Sequence, residues 1–205
     1  MLLGDDPYRE YLTAGGHRLH HQWLGVESRA APLTFLHEGL GSIELWRDFP
    51  AELVEVTGRR ALVYSRYGNG WSDPLGEART PSYMHTEADI LAGILTGAPV
   101  VLVGHSDGAS IALIYAGRAH RVEGLILIAP HVFVEPETIR AIDQLRCEYP
   151  GSEMATKMKK YHVDADRTFW GWNDIWLHDE FATWNLEALL PSINCPILLI
   201  QGEDD

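Results

Sequence analysis

The chain has 205 residues, enough for one sizeable domain around a single core. Hydrophobic residues make up 46% of it and charged residues 22%, a globular balance that excludes collagen-like, disordered and coiled-coil classes. With 16 Lys and Arg against 29 Asp and Glu the formal charge is −13, which repels phosphate backbones and anionic lipid, so no nucleic acid and no membrane is expected as a partner.

No apolar run is long enough to span a bilayer, and the start, Met1-Leu2-Leu3-Gly4-Asp5-Asp6, lacks the basic and apolar regions of a secretory signal. Cys147 and Cys195 lack metal-ligand spacing and are too few for a disulfide framework. Reduced thiols, no metal and a cytoplasmic location are the expectation.

Along the chain, residues 17–23 alternate loosely and read as an antiparallel edge strand. The adjacent pair His20-His21 would face opposite ways on it, which speaks against a metal site. Five short runs follow that are apolar nearly throughout, at 33–36, 61–64, 99–103, 125–129 and 196–200. Their lack of alternation predicts strands covered on both faces, the mark of a parallel sheet between helices. Between them, Leu45, Trp46, Phe49, Leu53 and Val56 fall at helical spacing with a break or fresh start at Pro50, and Met84, Ala88, Leu91 and Leu95 form a second stripe. The run from Ala109 to Ala116 is apolar almost all round and predicts a central buried helix. Strand and helix in alternation predict an α/β fold with a doubly wound, mostly parallel sheet. The stretch from 131 to 192 breaks the rhythm. It is too long for a crossover, carries Trp170, Trp172, Trp176 and Trp184, and is expected to be a helical lid. The division is then a core over 1–130, the inserted lid over 131–192, and a last core strand with an acidic turn over 193–205.

Three motifs carry chemistry. Gly104-His105-Ser106-Asp107-Gly108 joins a strand directly to a helix, the context in which G-x-S-x-G holds a serine in a strained turn above the sheet. His37-Glu38-Gly39-Leu40-Gly41-Ser42 follows the first core strand. Its glycines let an N–H, of Gly39 first and Leu40 next, join the Asp107 N–H in an oxyanion hole. His37 itself is expected to bond the loop rather than act as a base. The chain ends in Gly202-Glu203-Asp204-Asp205, where Asp205, with Asp204 second, is the expected carboxylate.

The order of the His37–Ser42 loop, Tyr64-Ser65-Arg66-Tyr67-Gly68-Asn69-Gly70-Trp71-Ser72-Asp73, the elbow and Cys195 to Asp205 resembles the α/β-hydrolase superfamily, in particular its lidded bacterial members. These include meta-cleavage C–C hydrolases, small-ester hydrolases and proline iminopeptidases. The resemblance covers nearly the whole chain and implies that Ser106 is the nucleophile and Asp205 the acid. A serine at the elbow argues against the haloalkane dehalogenases and epoxide hydrolases of that superfamily. In the superfamily a histidine follows the acid after one further strand. This sequence has no residues there, so a fragment lacking that last strand, the closing helix and the histidine is expected. His105 should point away from Ser106. His131, just past the fourth apolar run, is the in-chain substitute to consider, with His162 and His178 behind it.

The function expected is a cofactor-free serine hydrolase of a small apolar carbonyl substrate, an ester or a C–C bond beside a ketone, working through an acyl-enzyme. The alternatives are a non-catalytic binder of small molecules and a peptidase of the proline iminopeptidase type. The latter needs a lid acid to hold an amine, for which Glu135, Glu137 and Glu153 are available. Leu40, His131 and Trp170 are the pocket residues expected. With the 196–200 edge left bare, self-association is expected and a homodimer is left open.

Overall fold

The computed structural model describes residues 9–118 and 121–203. Seven strands form one sheet in the order β1-β2-β4-β3-β5-β6-β7. They are β1 (Glu10–Ala14), β2 (His17–Leu24), β3 (Leu33–Leu36), β4 (Ala61–Tyr64), β5 (Val100–His105), β6 (Val122–Ile128) and β7 (Ile197–Ile200). From β4 to β7 every pairing is parallel, whereas β2 runs antiparallel to β4 and to β1.

The five apolar runs are the five parallel strands. Leu33, Phe35, Val63 and Val103 pack on one face beneath helix α1 (Phe49–Thr57), and Leu36, Tyr64, Leu102 and Leu127 on the other. That second face is covered by α2 (Tyr83–Leu95) and α3 (Asp107–Gly117), whose residues from Asp107 to Ala116 are all buried. Pro50 sits in the first turn of α1, where its missing N–H costs nothing, so the break at that position is a fresh start.

One expectation needs correcting. The strand expected at the edge is the second strand in, and β1 takes the edge. Gly15 and Gly16, with φ of 57° and 81°, form the tight turn that folds β1 back onto β2.

Between β6 and β7 lie helices α4 (Pro136–Glu148), α5 (Glu153–Met158) and α6 (Ala165–Trp176). They share a small core in which Tyr149 stacks on Phe169 at 3.6 Å, with Ala155 and Met158 buried beside them. Strand β7 pairs with β6 alone among the described residues, and all four of its side chains are exposed. No described helix is long and apolar enough to cross a membrane.

Candidate active site

Ser106 sits between β5 and α3 with φ 50° and ψ −120°, a left-handed region that a residue bearing a Cβ enters only under strain. The flanking glycines are sterically required. A methyl group at Gly104 would lie 2.5 Å from Ala109 Cα, and one at Gly108 would collide with the Leu36 carbonyl. The tight turn places the serine at the N-terminus of α3. There the N–H of Asp107, in the first turn, has no acceptor within the helix.

The second loop is held from several sides. Glu38 O accepts from Gly41 N at 3.0 Å, from His37 Nδ1–H at 2.7 Å and from Arg66 Nη2 at 3.0 Å. His37 Nε2 accepts the Arg66 N–H at 2.9 Å, which fixes the proton on Nδ1. Burial, and then the Arg66 charge, keep this imidazole well below its usual pKa, so it is neutral. Glu38 Oε2 accepts the Leu40 N–H at 2.5 Å, and burial raises that carboxyl to about 7. Leu40 N–H and Gly41 N–H are thus both engaged within the loop. Among the described residues the Gly39 N–H has no acceptor, and Asn69 Nδ2 pins its carbonyl at 3.0 Å. A side chain at Gly39 would strike the indole of Trp172.

Ser106 opens onto a cavity of about 330 Å³ lined by Asp107, His131, Glu137, Thr138, Ile142, Trp172 and Trp176, among others. His131 Nε2 lies 3.4 Å from Ser106 Oγ, and its Nδ1 lies 3.7 Å from Glu135 Oε2. The backbone of His131 is clamped by Ser110, whose Oγ donates to His131 O at 2.7 Å and accepts from His131 N at 3.1 Å. Its ring meets Trp176 edge to face at 5.0 Å. A larger hollow of about 540 Å³ beside Tyr67, Arg79 and Tyr83 includes neither Ser106 nor His131 in its wall.

Two of the expected pocket residues are elsewhere. Trp170 packs in the core of the insertion against Tyr149 and Phe169, because on α6 it points away from the face shared by Trp172 and Trp176, four residues apart. Leu40 lines a separate groove with Met154 and Met158. Asp204 and Asp205 lie outside the described residues.

Residues 35–205 match the profile of an alpha/beta hydrolase family. The chain belongs to the alpha/beta hydrolase family. Among curated relatives it is 31% identical over 117 residues to a proline iminopeptidase of Lactobacillus helveticus, covering 55% of this chain and 40% of that protein. It is 30% identical over 126 residues to the sn-1-specific diacylglycerol lipase ABHD11 of Danio rerio, covering 61% of this chain and 38% of the lipase. The chain thus matches about two-fifths of the length of these relatives. A thermophilic esterase from Thermogutta terrifontis has the same fold, with a TM-score of 0.69 at 23% identity over 95% of this chain and 80% of that one.

In this alpha/beta hydrolase family member His105, His162 and His178 lie apart from the serine. His105 lines a small hollow with His37 and Trp46, on the far side of the elbow. His162 Nδ1 accepts the Gly70 N–H at 2.9 Å, and His178 Nδ1 accepts the Glu180 N–H at 3.2 Å. What sequence reasoning missed is a buried charged group under the loops. Arg66, Arg79, Glu87 and Asp107 are all nearly fully buried, with Arg79 Nη1 3.1 Å from Glu87 Oε1. Tyr83 OH donates to Asp107 Oδ2 at 2.7 Å.

Proposed function

We propose that the chain is a cofactor-free serine hydrolase that cleaves a small, largely apolar carbonyl substrate through an acyl-enzyme. The observation that carries this reading is Ser106, held at φ 50° at the head of a buried helix and opening onto a cavity walled by two tryptophans. Strain at a residue facing a pocket is the signature of a functional group rather than of a connecting turn.

Ser106 Oγ attacks the substrate carbonyl carbon while its proton passes to an imidazole. The carbonyl oxygen becomes an oxyanion between the N–H groups of Gly39 and Asp107. Collapse expels the leaving group, which takes the proton back from the imidazolium. Water then repeats the sequence and releases the acid and free Ser106. The imidazole supported within this chain is His131, with Glu135 as its carboxylate neighbour. Asp205 keeps, by resemblance, the role of orienting a histidine that follows it in a longer chain. The segment 131–192 serves as the lid, and its Trp172 and Trp176 rather than Trp170 shape an apolar site. An ester is the preferred substrate, in line with relatives named as an esterase and a lipase, and a C–C bond beside a ketone is second.

The peptidase reading rests on the proline iminopeptidase match and on Glu137, which lines the cavity. Arg140 Nη2 already binds that carboxylate at 2.5 Å, which weakens it as an amine anchor. Hydrolysis of nitrophenyl acetate against prolyl nitroanilide separates the two. Ser106→Ala is expected to lower turnover of the better substrate by about 10³-fold or more. Turnover that survives this change removes the nucleophile assignment.

A further inference from the structure

Arg66 has no exposed surface and reaches both halves of the oxyanion hole. One arm, Nη2, donates to Glu38 O at 3.0 Å and lies 3.9 Å from Asp107 Oδ2. The other, Nη1, lies 3.9 Å from Glu87 Oε1, the carboxylate that also holds Arg79. Two cations and two anions thus balance in the interior, and the Glu87 and Asp107 charges keep Arg66 protonated against the cost of burial.

The geometry matters because of the peptide bond. The Glu38 carbonyl and the Gly39 N–H are opposite ends of one planar trans unit, so fixing the oxygen fixes the direction of the N–H. Three donors converge on that oxygen, and one of them carries a full positive charge. The charge draws electron density toward the carbonyl and leaves the Gly39 N–H a stronger donor. On the other side, Asp107 is the residue whose own N–H is the second donor. Its carboxylate accepts from Tyr83 OH at 2.7 Å and faces the charge of the same guanidinium at 3.9 Å.

We propose that Arg66 is the positioning residue of the oxyanion hole, holding the Gly39 and Asp107 N–H groups to one geometry through the Glu38 carbonyl and the Asp107 carboxylate. This rests on the serine-hydrolase reading. Stability alone is a poor account of the cluster, because a buried ion network gains little over well-packed apolar residues of the same size. A lysine in place of Arg66 keeps the charge but is shorter and presents one ammonium, so it cannot set one nitrogen between Glu38 O and Asp107 while a second pairs with Glu87.

The test uses a short-chain alkyl fluorophosphonate on the full chain, with the saturating binding constant and the maximal phosphonylation rate measured separately. Arg66→Lys is expected to slow the maximal rate by about 10²-fold while binding of the probe stays within about twofold. Tyr83→Phe, which deletes one hydroxyl and keeps the packing, is expected to slow it by about 10-fold and serves if Arg66 variants do not fold. Folded variants that react at the wild-type rate, or that lose binding and rate together, overturn the proposal. If wild-type Ser106 takes no probe, it is the reading of this chain as a serine hydrolase with His131 as its base that fails. The positioning is then read from amide hydrogen exchange at Gly39 and Asp107, which is expected to quicken in both variants. Unchanged exchange overturns it.

Discussion

The strain at Ser106 costs on the order of 1–3 kcal/mol, and the fold tolerates it because Gly104 and Gly108 let β5, α3 and the end of β3 close around the turn. Glycine enters the left-handed region freely. Ser106→Gly is therefore expected to raise the thermal midpoint, by about 1 kcal/mol of stability, while abolishing reactivity. A lower midpoint in a calorimetric scan contradicts the strain argument. This residue was legible because its pattern is steric, with small residues either side of a serine between a strand and a helix. Arg66 was not legible. An arginine just past a strand reads as solvated, and only the chain fold brings Glu38, Glu87 and Asp107 around it. The tryptophans were half legible. Their clustering marked the insertion, but which of them face Ser106 depends on the rotation of α6, a tertiary fact.

At the scale of elements, the insertion is latched to the loop after β4. His162 Nδ1 accepts the Gly70 N–H, Val163 N–H reaches Gly70 O at 2.9 Å, and Thr168 Oγ1 donates to Gly68 O at 2.7 Å. Burial holds His162 at about 4 and His37 well below its usual value. Both are neutral in the fold and free to protonate when unfolded, so the unfolded chain binds more protons below about pH 6.5. Their stabilisation is present above that pH and declines as pH falls, for His162 down to about 4, where about 3 kcal/mol has been lost. Glu38, raised to about 7, acts in the opposite sense, its contribution fading as pH rises from about 4.5 to 7. Net acid destabilisation is expected, and His162→Gln should reduce proton uptake on unfolding by about one. Denaturant titrations at a series of pH values measure this, and an unchanged pH slope in the variant refutes the assignment. The strands and helices were legible as runs and stripes, whereas β1 was overlooked because five mixed residues give little periodicity.

For the whole molecule, β3 and β4 are buried on both faces, β6 is fully buried only at Leu125 and Leu127, and at β7 Ile197, Leu198, Leu199 and Ile200 are 44–59% exposed. A bare apolar strand with one free edge is a template for pairing, and the formal charge of −13 is the main opposing force. The 205-residue chain is expected to self-associate, more so as salt screens that charge. A monomer in sedimentation at high salt contradicts this. The sheet order follows from the alternation of strand and helix, so the architecture was readable at this scale.

Activation of Ser106 with His131 as its proton acceptor is tested by the intact mass of the chain after exposure to a serine-directed phosphonate. One adduct is expected, mapping to Ser106, lost in Ser106→Ala and formed far more slowly in His131→Gln. No adduct on the wild-type chain, or an adduct that forms as fast without His131, contradicts it.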